Sequence, residues 1–298
     1  MNKVAIIVVT FNRFQLLKEV IKALREQTFT NMDIIVVNNG STDETKEWLT
    51  IQNDITTITQ ENVGGAGGFF TGIKYATEHG YKYCWIMDDD VICNNDALSE
   101  LVNAYNAVPK IGFVCSRVIG IDGRPMNTPN ADMRATSNGY SDIFDYVAAH
   151  AMVKVQNATF VSVFFSTDIV RELGLPIKEF FIWGDDTEYT GRISAKHPCF
   201  VACKSVVLHK RTIQKGLDFM EENDPKRLKN YFYYFRNNLF ILRKTKGEKA
   251  FRHEIKEKTK FAIRLYLRGD KSHASVLWEA IKAAKNFTPK VLFPEKIE

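Results

Sequence analysis

No hydrophobic run in this chain is long enough to cross a bilayer. The N-terminal apolar stretch, residues 4–11, leads directly into Asn12 and Arg13, so it is too short for a span and lacks a small-residue cleavage site. Cysteine is scarce. The five present (Cys84, Cys93, Cys115, Cys199, Cys203) form no C-x-x-C pair, and an odd count leaves one over in any disulfide scheme. That usage suits a reducing compartment, and the cytoplasm is expected. There is no internal repeat. No glycine-rich loop carries the Lys-Ser/Thr of a Walker A motif, and the glycine cluster has the wrong spacing and falls too late for a dinucleotide fingerprint.

What is present describes an ordinary globular protein. At 298 residues, 45% hydrophobic and 12% aromatic, the chain can bury one full-sized core and carry a smaller appended region. The net charge of +5 conceals an asymmetry: residues 225–298 hold 19 Lys and Arg against 7 Asp and Glu, whereas residues 1–224 hold 21 against 28. A basic tail follows an acidic body. Such a tail is either a solvated helical face or a contact for an anionic partner.

The first 115 residues alternate short apolar runs with segments of helical period, as a parallel sheet built from βα units does. Strands are expected over residues 4–9, 34–37, 56–59, 83–87 and 111–115. Leu16, Leu17, Val20, Ile21 and Leu24 mark one helix; Ser41 and Glu44 form a capping box for a second. Further helices are expected over 69–78 and from Asp96 onward. Residues 120–145, rich in Gly, Pro, Asn, Asp and Ser, read as loop or lid. A strand at 159–165, a short helix capped by Asp168, and a strand at 201–208 ending in His209 complete a catalytic region over residues 1–220. Residues 221–298 read as a helical, basic and aromatic region.

Three clusters carry chemistry. Asp88, Asp89 and Asp90 end an apolar strand, where an open α/β sheet places its ligands. Alternate residues of an extended segment point the same way, so Asp88 and Asp90 can share a divalent ion while Asp89 faces elsewhere. Hard oxygen ligands of this kind suit Mg2+ or Mn2+ on a diphosphate. Gly64, Gly65, Gly67 and Gly68, at the start of a helix, let backbone approach phosphate or sugar. In the third cluster, Asp185 with Glu188 reads as a helix N-cap, which leaves Asp186 as a candidate general base for a hydroxyl. His209 gains a role only if the fold brings it to Asp88 and Asp90.

In this order these pieces resemble glycosyltransferase family 2, and within it the bacterial galactofuranosyltransferases. The matching residues are Val8-Val9-Thr10-Phe11-Asn12-Arg13, Asn38-Asn39-Gly40-Ser41-Thr42-Asp43, the glycine run from Asn62 to Phe69, Asp88 to Asp90, Trp183 to Tyr189, and His209. The resemblance implies an α/β GT-A fold with a mostly parallel central sheet, followed by a C-terminal helical region. It implies a nucleotide sugar held near Thr10, Asn12, Arg13, Asn39, Asp89 and the glycines. It further implies Mn2+ or Mg2+ on Asp88, Asp90 and His209, with Asp186 as base. Trp183, Asp185, Phe165 and Tyr189, with Phe164, are expected to face the acceptor.

The implied activity is inverting transfer of galactofuranose from UDP-galactofuranose to a saccharide or lipid-linked saccharide during surface polysaccharide synthesis. Many members carry Asp where this chain has Asn38 or Asn39, beside the nucleobase. A rhamnosyltransferase using dTDP-rhamnose is therefore the alternative, and a non-catalytic nucleotide-sugar binding protein is the alternative of another class. The tail resembles the Tyr-Tyr-x-x-Arg-Asn segment of related transferases, here Tyr233-Tyr234-Phe235-Arg236-Asn237. Its Lys and Arg excess suggests peripheral contact with an anionic membrane; no nucleic-acid partner is expected.

Overall fold

The computed structural model describes residues 3–211 and 216–295. In β1 (Val4–Thr10) every residue is buried, because the strand pairs in parallel with β2 (Met32–Asn38) on one edge and β4 (Tyr83–Asp88) on the other. Helices cover both of its faces. Val4, Ile6 and Val8 pack with Leu17, Val20, Ile21 and Leu24 of α1 (Phe14–Arg25) and with Leu98 and Leu101 of α4 (Ala97–Ala107). The alternate residues, Ala5, Ile7 and Val9, pack with Phe69, Phe70, Ile73 and Ala76 of α3 (Gly64–Glu78). The period of two in the strand meeting the 3.6-residue period of the helices gives a three-layer sandwich.

The remaining elements are α2 (Thr45–Thr50), β3 (Ile55–Thr59), β5 (Val91–Cys93), β6 (Val114–Gly120), α5 (Ile143–His150), β7 (Met152–Lys154), β8 (Val163–Ser166), α6 (Thr167–Leu173), α7 (Asp185–Ser194), β9 (Phe200–His209), α8 (Pro225–Leu267) and α9 (Lys271–Ala284). The sheet runs β3-β2-β1-β4-β8-β6-β9-β5, with β7 against β9. The expected parallel character holds for β3-β2-β1-β4 and for β6-β9; β8, β5 and β7 run antiparallel to their neighbours. Parallel pairing brings the carboxyl ends of β1, β2 and β4 to one edge, with Thr10 opposite Asn38 and Val9 opposite Asp88.

Local expectations differ at several ends. Ser41 and Glu44 form no capping box: the Ser41 hydroxyl accepts from Asn12 N, and Asp43 accepts from Thr45 N at the head of α2. The short helix at Asp168 is capped by Ser166, whose hydroxyl accepts from Asp168 N. The helix expected from residue 69 begins at Gly64, inside the glycine run. Residues 120–145, read as loop, lead into α5 and β7, which the sequence did not announce.

The C-terminal region is a helical hairpin. Pro225 follows Asp224, whose carboxylate accepts from Lys226 N and starts α8; Gly247, at φ 81°, breaks that helix midway. Leu228, Tyr231 and Phe235 of α8 pack with Leu277 and Ile281 of α9. Phe240 joins Ala66, Ile177 and Phe180, tying the hairpin to the sheet region. Among the described residues no helix is long and apolar enough to cross a membrane.

Candidate functional site

Asp88 ends β4, and the chain turns through Asp89 and Asp90 into β5. Antiparallel pairing sets Val91 opposite His209, and Lys210 N donates to the carbonyl of Asp90. This register carries His209 from 119 residues away in sequence to the aspartates. Ligand atoms of Asp88, Asp90 and His209 lie within 4.8 Å of one another. Asp89 points elsewhere, set by the turn and not by strand alternation: its carboxylate accepts from the Thr10 hydroxyl at 2.7 Å and from Phe11 N at 3.3 Å.

The details fit a cation. His209 Nδ1 meets Asn127 Oδ1 at 2.9 Å, and with Nδ1 as the donor the Nε2 lone pair is directed inward. Nε2 stands 3.1 Å from Asp90 Oδ1, a buried oxygen with no other polar partner among the described residues. Two carboxylates and an imidazole nitrogen gathered this closely form a donor set that suits Mn2+ or Mg2+. The other Asp90 oxygen is paired with the Arg13 guanidinium.

The charges are tuned unevenly. Burial, then Asp90 and Asp186, push Asp88 up to about 6 against the pull of His209 and Arg13. Burial, helped by Asp90 and Asp88, pushes Asp89 up to about 7. Asp90 is also desolvated, but His209 and Arg13 outweigh that and hold it below the usual carboxylate range. Asp185 and Asp186 are both raised, chiefly by burial, and Asp88 adds to the push on Asp185. Asp88 and the Asp185-Asp186 pair thus lie in each other's field.

Several expected donor residues are engaged otherwise. Thr10 is 1% exposed with its hydroxyl on Asp89, so it braces the aspartate turn instead of offering that hydroxyl to a ligand. Asn39 is 2% exposed; its amide nitrogen donates to Asn62 Oδ1 and the Gly64 carbonyl, and its oxygen accepts from Gln60 Nε2 and Val63 N. It secures the glycine run and does not reach outward. Asn12, at φ 54°, is exposed, with Oδ1 receiving Thr42 N at 2.7 Å. Arg13 remains half-exposed above the aspartates.

The glycine run is mainly a packing device. A Cβ at Gly68 would lie 2.3 Å from Val9 Cγ1, one at Gly67 2.4 Å from Val63 Cγ2, and one at Gly64 2.1 Å from the Phe181 carbonyl oxygen. Gly65 alone of the four expected ligands faces open space. Close approach to a strand and a loop, more than to phosphate, explains the composition.

At the third cluster, Gly184, not Asp185, occupies the N-cap of α7, and no side chain caps the helix. Glu188 pairs with Arg192. Asp186 Oδ1 accepts from Thr187 N and Thr187 Oγ1, which fixes the carboxylate. Trp183 is partly exposed, with its ring edge against Tyr231 at 5.0 Å. Phe165 and Tyr189 do not face an acceptor: both are fully buried and pack on each other at 5.8 Å under the sheet, and Phe164 is buried on the opposite face. Their residue type suits core and sugar contact equally, and only topology decides. Asn127, which orients His209, was not singled out from the sequence. It lies in the aperiodic 120–145 segment, where no spacing signals a partner.

Comparison with known proteins agrees. A family model described as "Glycosyl transferase family 2" matches residues 5–168. "Galactofuranosyltransferase GlfT1" of Mycolicibacterium smegmatis is 26% identical over 231 residues, 72% of this chain and 67% of that protein. Among solved structures, S. aureus TarS 1-349 in complex with UDP aligns at TM-score 0.56 and 15% identity, covering 89% of this chain and 72% of that one. GalNAc-T7 with UDP, GalNAc and Mn2+ aligns at TM-score 0.57 and 13% identity, covering 80% and 51%. The two structural likenesses are likenesses of fold.

Proposed function

This chain belongs to glycosyl transferase family 2 and has the GT-A fold, and on that premise we propose that it is an inverting, metal-dependent galactofuranosyltransferase. The donor is UDP-galactofuranose, and the acceptor is a saccharide or lipid-linked saccharide of a surface polysaccharide. The observation that carries the reading is the convergence of Asp88, Asp90 and His209, with the buried Asp90 oxygen facing His209 Nε2, in the field of Asp186. The sugar rests on the 26% identity to a galactofuranosyltransferase, and uridine and manganese on the ligands of the two solved neighbours.

Asp88, Asp90 and His209 would hold Mn2+ or Mg2+, which when bound neutralises charge on the departing nucleoside diphosphate. Arg13 is placed to add a second positive charge to the same diphosphate. Gly65, with open space above it, lets the donor lie close to the head of α3. Asp186 takes the proton of the acceptor hydroxyl as that oxygen bonds to the anomeric carbon and the bond to the diphosphate breaks. One displacement inverts the anomeric configuration. Trp183 and Asp185 line the acceptor side. Residues 1–220 form the catalytic domain and residues 221–298 the appended region.

The decisive test is a screen of UDP-galactofuranose and dTDP-rhamnose with and without Mn2+, read as released nucleoside diphosphate. Metal-dependent turnover of UDP-galactofuranose is expected; turnover of dTDP-rhamnose alone would make the protein a rhamnosyltransferase. Asp186→Asn should lower turnover by about 100-fold to 10,000-fold while UDP affinity is retained. A variant with full turnover would remove Asp186 from the mechanism.

The appended hairpin supports a membrane-borne acceptor. Lys260, Ile263, Arg264, Leu267 and Arg268 fall on one helical stripe of α8 at i, i+3, i+4, i+7 and i+8. Ile263 is 48% and Leu267 78% exposed, and Trp278 on α9 is 52% exposed. Apolar side chains interleaved with guanidinium and ammonium groups match an anionic lipid surface on the cytoplasmic side.

A further inference from the structure

We propose that Asn237, on α8, is a positioning residue that holds the turn carrying Asp186, so that the appended hairpin is a working part of the active site. The proposal rests on the reading of Asp186 as the base. The turn before α7 is one that its own sequence does not favour. Phe181 has φ 64°, Trp183 φ 62° and Gly184 φ 91°, three left-handed residues in four, two of them bulky and aromatic. Such a backbone persists only where surrounding structure imposes it.

From α8 the turn is held by one amide and the arginine beside it, whose Nη2 also donates to the Phe180 carbonyl at 3.3 Å. Asn237 is fully buried, and its Nδ2 donates to three carbonyls of the turn: Phe180 at 3.0 Å, Ile182 at 3.2 Å and Trp183 at 2.8 Å. Its Oδ1 accepts from Arg236 Nε at 3.0 Å and Nη2 at 2.9 Å, which fixes the orientation of the amide. Arg236 Nη2 also donates to the Glu179 carbonyl at 2.6 Å, and its guanidinium lies 3.9 Å from the centre of the Phe287 ring. Tyr233 contributes a second ring, 5.1 Å away. The aromatic setting and the neighbouring amide leave the arginine a single task, to lock Asn237 and the start of the turn.

The turn is held from the other side by the glycine run. Ala66 N donates to the Phe181 carbonyl at 3.1 Å, the same oxygen that leaves no room for a side chain at Gly64. Phe181 is therefore fixed from the donor side, whereas Phe180, Ile182 and Trp183 are fixed from α8. Two residues beyond Gly184 stands Asp186. Removal of the Asn237 amide leaves the Phe181 anchor and the Arg236 bonds to Glu179 and Phe180, but frees the carbonyls of Ile182 and Trp183, the stretch that leads to the base. Donor binding should survive, and alignment of the base should not.

The test uses the full-length protein in four variants: Asn237→Asp, which keeps the shape but replaces the donor with an anion facing carbonyls; Asn237→Ala; Asp186→Asn; and Asn238→Ala. Among the described residues the Asn238 side chain bonds only to the Tyr234 carbonyl of its own helix, and it serves as the control. Release of UDP from UDP-galactofuranose, affinity for UDP with Mn2+, and cooperative unfolding are measured for each. Both Asn237 variants should lose about 100-fold in kcat, the scale of an ångström-sized misplacement, with UDP affinity within about twofold of the parent. Asn238→Ala should match the parent. Unchanged kcat in the Asn237 variants beside an inactive Asp186→Asn would overturn the proposal alone. Loss of UDP binding and of cooperative unfolding in both Asn237 variants would also overturn it, because Asn237 would then support the whole fold. Full turnover in Asp186→Asn would overturn the parent reading, and this one with it.

Discussion

Asn127 touches no expected substrate, yet it directs the ring of His209 through the 2.9 Å contact at Nδ1. Partners of this kind set the tautomer of a metal-ligating histidine and typically matter by about 10-fold to 100-fold in metal affinity. Asn127→Ala should weaken Mn2+ binding by about that factor in calorimetric titration, and an unchanged affinity would show that His209 orients itself. The raised carboxylates give a second expectation. Asp88 at about 6 and Asp89 at about 7 keep protons in the folded protein that the unfolded chain has already released. The stability they contribute is complete below the unfolded carboxylate range and disappears as pH rises through 6 to 7. A divalent cation offsets the repulsion of the ionised forms, so Mn2+ should raise Tm more at about pH 8 than at about pH 5.5. Equal gains at both would detach the metal from these carboxylates. At this scale the sequence was legible in part. The expected grouping of Asp88 with Asp90, apart from Asp89, is what the structure has, but a turn at Asp89 and Asp90 produces it where an extended segment was expected. Burial defeated the aromatic residues: Phe165 and Tyr189 carry no local mark distinguishing core from sugar platform.

Between α3 and β1 the contact is so close that glycine is a steric requirement. Gly68→Ala drives a methyl into Val9 and should cost about 1–3 kcal/mol in urea unfolding. Gly65→Ala, with open space around its Cβ, should be neutral or slightly stabilising, since alanine is the better helix former by up to about 1 kcal/mol. Equal costs at both positions would contradict the packing account. The βα units of the first 115 residues were readable where the strand holds an apolar run beside a helix, as in β1, β2 and β4; β3 carries three threonines, and the strand expected at 111–115 runs over Val114–Gly120. Helix caps were less so. Ser41 and Glu44 have the spacing of a capping box, but Asn12 draws the serine away, and nothing near Ser41 in sequence reveals that competitor. β5 and β7 escaped because each is three residues long. Asn237 was visible as part of a motif, but its task depends on a turn 54 residues away.

Across the whole molecule an acidic sheet region is joined to a basic hairpin. The stripe at Ile263, Arg264, Leu267 and Arg268 predicts flotation with anionic vesicles that weakens as salt rises beyond roughly 0.15 M, where the Debye length falls below about 8 Å. Replacing Arg264 and Arg268 with Glu should abolish flotation and leave soluble-substrate turnover intact. Undiminished flotation would assign the stripe to solvent. Cutting the hairpin away is the poorer experiment, because Arg236 and Asn237 would leave with it.

The grip of α8 on residues 179–183 also has a consequence for the growing polypeptide on the ribosome. Synthesis delivers Asp88 and Asp90 first, His209 much later, and Asn237 later still, while domains assemble from the N-terminal side as they emerge. A growing chain can thus acquire most of its sheet before α8 exists to hold the turn, and on the proposed reading competence arrives only with that helix.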